Sequence, residues 1–238
     1  MLLSQHASFV YHFPFRRVNG PRKRKAALTG QWPSVTGKRM ERWTWGLCLP
    51  AVIGVMACGA IPSEAIEVRP TPDQIGSALA RGRAAADERR SPNTFYARFG
   101  APDGSRPGGF LITKLGSLSV MATHMALRGV EPSEAEIQQI IEAPTMLITI
   151  VIFGESQSFA TDSYMVLDQG AKTIKPVTVR VDGRADRNTT WPESPRYKAK
   201  VVASFNYEDF DQKAKTIITV FPPAGGTASF VVDFSDIP

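Results

Sequence analysis

The stretch LITIVIF at residues 147–153 is β-branched and apolar along its whole length. That composition predicts a central strand buried on both faces. Five further runs follow it, at residues 164–167, 177–181, 197–205, 216–221 and 228–234, with Gly, Asp, Asn and Pro at the breaks. Val177, Val179 and Val181 repeat with a period of two, as do Phe230, Val232 and Phe234. Six strands in this span, separated by short turns, predict an antiparallel β-sandwich of immunoglobulin-like type, its last strand docked in the sheet.

Upstream of this run the apolar period is helical. Thr71-Pro72-Asp73-Gln74 has a hydroxyl N-cap, proline at the first helical position and glutamine placed to close a capping box. The helix it opens has a thin apolar stripe (Ile75, Ala78, Leu79, Gly82, Ala86), which predicts a surface element. Residues 99–109, rich in Gly and Pro, read as a loop, with the short apolar run Phe110-Leu111-Ile112 after it. A second helix is predicted from Ser117, with Leu118, Met121, Ala122 and Met125 on one face and Gly129 at its left-handed C-terminal cap. Ser133 and Glu136 form a second capping box for a third helix, which ends before Pro144. The expected class is therefore α+β, with helices first and strands afterwards. The expected divisions are an N-terminal extension at 1–39, a signal peptide at 40–57, a linker at 58–70, a helical part at 71–145 and the sandwich at 146–238.

The signal peptide is inferred from residues 43–58, WTWGLCLPAVIGVMAC, a charge-free run preceded by Met40-Glu41-Arg42. A positive flank, a short apolar core and small residues at its end are the parts of a bacterial export signal. Val55-Met56-Ala57-Cys58 resembles the lipobox of bacterial lipoproteins. That resemblance implies cleavage before Cys58, acylation of its thiol and attachment to the membrane through the acyl chains. Gly59 after the cysteine implies an outer-membrane location facing the periplasm. Two other outcomes are open: cleavage after Ser63-Glu64-Ala65, which would release a soluble periplasmic or secreted protein, and retention of the uncharged stretch as an anchor.

The net charge of +6 suggests an anionic partner, but its distribution points elsewhere. Nine of the 28 basic residues precede Cys58, against one of the 22 acidic residues, Glu41; the remainder holds 19 basic and 21 acidic residues, for a net of −2. Nucleic acid is not an expected partner. Both cysteines, Cys48 and Cys58, lie in the export segment, so no disulfide framework is expected.

His124 is the one histidine after the export segment and reads as a partly buried structural residue on the second helix. Zinc-type ligand sets are missing from the sequence, and the acidic runs at residues 182–188 and 208–211 lack EF-hand spacing and read as solvated turns. No metal or cofactor is expected. Trp191, Tyr197 and Tyr207 are the candidate binding residues, as an aromatic surface for a sugar or a partner chain, with Trp191 in the loop Thr-Thr-Trp-Pro-Glu-Ser-Pro. The leading expectation is a lipid-anchored, non-enzymatic envelope module with the membrane and an envelope protein as partners. The alternatives are an envelope hydrolase using paired carboxylates, which needs a cleft with two acids of raised pKa, and a carrier of a small apolar ligand, which needs an enclosed apolar cavity.

Overall fold

A computed structural model describes residues 66–101 and 105–237. Among them, three α-helices and ten strands form two antiparallel sheets packed on one core. The chain runs α1 (Pro72–Asp87), β1 (Ala97–Gly100), β2 (Gly108–Ile112), α2 (Lys114–Ala126), α3 (Glu134–Ile141) and then β3 (Thr145–Gly154), β4 (Tyr164–Gln169), β5 (Lys172–Ile174), β6 (Thr178–Val181), β7 (Asp186–Arg187), β8 (Tyr197–Asn206), β9 (Lys215–Phe221) and β10 (Ala228–Asp233). One sheet has the order β1-β2-β3-β8-β6, with β7 also pairing with β8; the other has the order β10-β9-β4-β5.

All six strands expected from the sequence are present. The order of helices and strands differs from the expectation. Residues 99–109 are not one loop: β1 and β2 pair with each other, β2 pairs with β3, and both strands precede α2. Glycines mislead the sequence reading here because they sit where backbones meet. A Cβ on Gly109 would stand 2.4 Å from the Thr149 carbonyl oxygen, and one on Gly108 would stand 2.8 Å from the Ala101 amide nitrogen.

Residues 147–153 do form an inner strand, since β3 lies between β2 and β8. It is not buried on both faces. Met146, Ile148, Ile150 and Ile152 point into the core, whereas Leu147, on the opposite face, is 44% exposed. Across the core stand Met165 and Leu167 of β4, Ile174 of β5, and Ile218 and Val220 of β9. Leu111, Val201, Ala203 and Phe205 complete the face of the six-stranded sheet, and Phe159, Phe210, Phe234 and Ile237 also belong to the core.

Both capping boxes form as the sequence predicts, Thr71 with Gln74 and Ser133 with Glu136. Helix α2 starts three residues before the expected Ser117, because Thr113 caps it by accepting from the Gly116 amide at 3.0 Å. Gly129 adopts the left-handed conformation (φ 71°). Helix α1 is largely exposed, as its thin stripe suggests, but the stripe packs closely. Its small residues Ala78, Gly82 and Ala85 are buried, and α2 comes close enough for Ser119 Oγ to donate to the Ala78 carbonyl at 2.9 Å and Thr123 Oγ1 to the Gly82 carbonyl at 3.0 Å. The residues expected to form a linker are packed as far back as Ile66, which is 2% exposed and part of the core.

Candidate functional site

The candidate residues fall in three places. Cys58 lies outside the described residues. Trp191 and Tyr197 meet: their rings stand edge to face at 5.7 Å, and the Arg187 guanidinium lies 4.4 Å from the centre of the Trp191 ring. Asn188, itself buried, fixes this loop. Its amide nitrogen donates to Thr190 Oγ1 and to the Pro195 carbonyl, both at 2.9 Å, and its oxygen accepts from the Thr189 amide at 2.7 Å. Tyr197 packs against the core, so Trp191, 38% exposed, covers one edge of it with a face still open to solvent.

Tyr207 is not part of that aromatic surface. It is buried, with its ring 5.9 Å from Phe210, and the ammonium of Lys114 lies 5.1 Å from its ring centre. Lys114 is buried as well, and its Nζ donates to the Val68 carbonyl at 2.9 Å and also to the Ile141 carbonyl. One side chain thus ties the start of the body to the last turn of α3. Burial, with the Arg69 charge nearby, lowers the pKa of Lys114, and Glu67 opposes that shift.

Burial pushes the Tyr207 phenol far above its ordinary pKa of 10.0. The sign of the stability effect follows. The unfolded chain loses this proton first, so the contribution is complete below pH 10.0 and is lost as the pH climbs past it. In denaturant titrations, the wild type is expected to lose more stability between about pH 9 and pH 11 than Tyr207→Phe, which keeps the ring and removes the proton. Equal losses would show that Tyr207 is not the group responsible.

His124 sits half-buried on α2, and desolvation followed by the Arg128 charge lowers its pKa. The acidic runs do local work: Asp182 accepts from the Lys200 amide at 2.9 Å, Asp209 from the Asn206 side chain at 3.0 Å, and Asp211 from the Lys213 amide at 2.9 Å. Among the described residues, no group of three or more His, Cys, Asp or Glu stands where it could hold a metal ion.

One feature missed by the sequence reading is a depression of about 240 Å³ over β2, β3 and β8, lined by Arg98, Arg106, Phe110, Val151, Lys198 and Lys200 together with Asp182 and Asp186. Strand alternation puts Lys198 and Lys200 on the outer face, opposite Phe153 and Val151. Gly108, which pairs with Val151 on its other side, adds no side chain to that row and leaves it low. The signal for the lysine pair was legible in Tyr-Lys-Ala-Lys; the arginines come from a segment read as loop or bordering it.

The chain matches no protein-family model and no curated protein.

Proposed function

We propose that the chain is an exported lipoprotein of the cell envelope, acylated at Cys58 and held at the outer membrane facing the periplasm, whose immunoglobulin-like body acts as an interaction module and not as an enzyme. The observation that carries this reading is the burial of Ile66. Cleavage after Ala65, the soluble alternative, would put the new α-ammonium on Ile66 itself, a residue packed in the core, and the need to keep that charge solvated opposes the packing. Cleavage before Cys58 leaves the new terminus eight residues upstream of Ile66, free of that conflict. At ~3.4 Å per residue those eight residues reach about 27 Å at full extension, so the body stays close to the bilayer surface.

A contact role draws support from the outer face of the four-stranded sheet. Tyr164 pairs across it with Phe221, and Ile217 with Val231, and all four are exposed. The two pairs flank the polar Thr219–Ser229 pair on the same face, so this face offers a partner apolar contacts around a hydrogen-bonding centre. The expected partner is another envelope protein.

Radiolabelled palmitate supplied to cells expressing the full chain is expected to label the wild type and leave Cys58→Ala unlabelled. An unlabelled wild type, or a mature protein whose N-terminal sequence begins at Ile66, overturns the lipoprotein reading.

A further inference from the structure

The depression over β2, β3 and β8 brings four cations together. Arg98 and Arg106 come from either side of the β1–β2 turn, and Lys198 and Lys200 from alternate positions of β8. Among the described residues, none of the four is engaged in an ion pair. Two carboxylates share the space. Asp182 already uses Oδ2 on the Lys200 amide, holding the end of β6 to β8, and Asp186 pairs in register with Lys198 across β7 and β8. Among the described residues that line the depression, the cations outnumber the carboxylates by two.

The walls are not uniformly polar. Phe110 stacks on Tyr96 at 4.6 Å with nearly parallel planes, which fixes the orientation of its ring, and Val151 adds a second apolar surface. Guanidinium groups offer forked donors that match the oxygens of a tetrahedral oxyanion, and ammonium groups add mobile point charges. A phosphate monoester carries about −1.5 to −2 at neutral pH, which matches the excess. At about 240 Å³ the depression has room for a phosphate and a small ring.

We infer that this depression is a binding site for a phosphate monoester borne on a small flat organic group, with Arg98, Arg106, Lys198 and Lys200 holding the oxyanion and Phe110 the ring. The site does not depend on the lipid anchor, so loss of palmitate labelling leaves it standing. A phosphate monoester reaches an envelope protein either as a soluble ester or as an exposed lipid headgroup; the oxyanion is common to both, and only the soluble ester can also bring a ring to Phe110.

The test is calorimetric titration of the full chain, in non-ionic detergent, with phenyl phosphate. Saturable one-to-one binding is expected, weakened about tenfold in Lys200→Gln and again in Arg106→Gln, as loss of a charge-assisted hydrogen bond implies. Lys175→Gln, an exposed lysine between β5 and β6 that does not line the depression, is expected to leave binding unchanged. Asp186→Asn, which removes a competing carboxylate, is expected to tighten binding about twofold to threefold. Inorganic phosphate is expected to bind more weakly than phenyl phosphate, because the ring contact is missing. Displacement of phenyl phosphate by phosphatidic acid vesicles, and not by phosphatidylcholine vesicles, assigns the headgroup as source; displacement by neither assigns a soluble ester. Absence of saturable binding, or equal weakening by Lys175→Gln and Lys200→Gln, overturns the site. Circular dichroism of each variant identifies any loss of fold.

Discussion

Replacing Phe205 by alanine is expected to lower the unfolding free energy by about 3–5 kcal/mol, the range found when a fully buried aromatic ring is removed from a core that cannot collapse around the gap. The site meets that condition. Phe205 is wholly buried on β8, opposite Met146 of β3, itself wholly buried, in the face shared with Ile148, Ile150 and Val201. Relaxation is opposed because β8 is an inner strand, paired along β3 on one side and with β6 and β7 on the other. Urea titration followed by circular dichroism is the measurement, and a lower midpoint at unchanged slope is the expected form. Phe221→Ala is the comparison. At 43% exposure on the outer face of β9, its loss is expected to change stability by less than about 1 kcal/mol. If the two variants lose equal stability, the packing of the two sheets described above is wrong.

A second large effect is expected at a residue with no side chain. Gly82→Ala puts a Cβ 2.3 Å from the Ser119 carbonyl oxygen and 2.6 Å from the Ala122 Cβ, and the first of these contacts is backbone. The helices must separate. Separation strains the Ser119 bond to the Ala78 carbonyl and the Thr123 bond to the Gly82 carbonyl, and both hydroxyls are buried. Each hydroxyl keeps a second acceptor within α2, Ser119 on the Leu115 carbonyl at 3.1 Å and Thr123 on the Ser119 carbonyl at 2.8 Å, so overpacking dominates and a loss of about 1–3 kcal/mol is expected. The same change six residues earlier has the opposite sign. Gly76 lies in α1 with nothing within 4 Å of an added Cβ, so Gly76→Ala is expected to stabilise by about 0.5–1 kcal/mol through helix propensity alone. Thermal melts of the two variants, run side by side, separate close packing of α1 on α2 from a loosely attached helix. Two shifts of the same sign would exclude the close approach.

These contrasts mark where the fold was legible. Capping residues announce helix starts because the interaction is local: Thr71 with Gln74 and Ser133 with Glu136 both form as spaced. Alternation announces the strands for the same reason. The sequence reading failed where an element depends on distant chain. Strands β1 and β2 contain Gly100, Gly108 and Gly109, which in isolation favour turns; only neighbouring backbones explain why no side chain fits there. Residues 147–153 are apolar throughout, but apolar identity does not ensure burial, and Leu147 remains exposed.

The candidate site follows the same division. Trp191 and Tyr197 are six residues apart and meet, whereas Tyr207, grouped with them by residue type, lies in the core beside Lys114. Nothing local marks Lys114 as buried, since its acceptors belong to residues 68 and 141. The cationic depression joins residues a hundred positions apart in the chain.

Strand β5, at one margin of the four-stranded sheet, has only three residues, begins with Lys172 and is followed by Lys175 and Pro176. A neighbouring molecule seeking to extend that ladder finds a rung too brief to hold, two ammonium groups to desolvate and an imino acid with no hydrogen to offer. Crowding therefore does not drive copies of this chain to join through this margin.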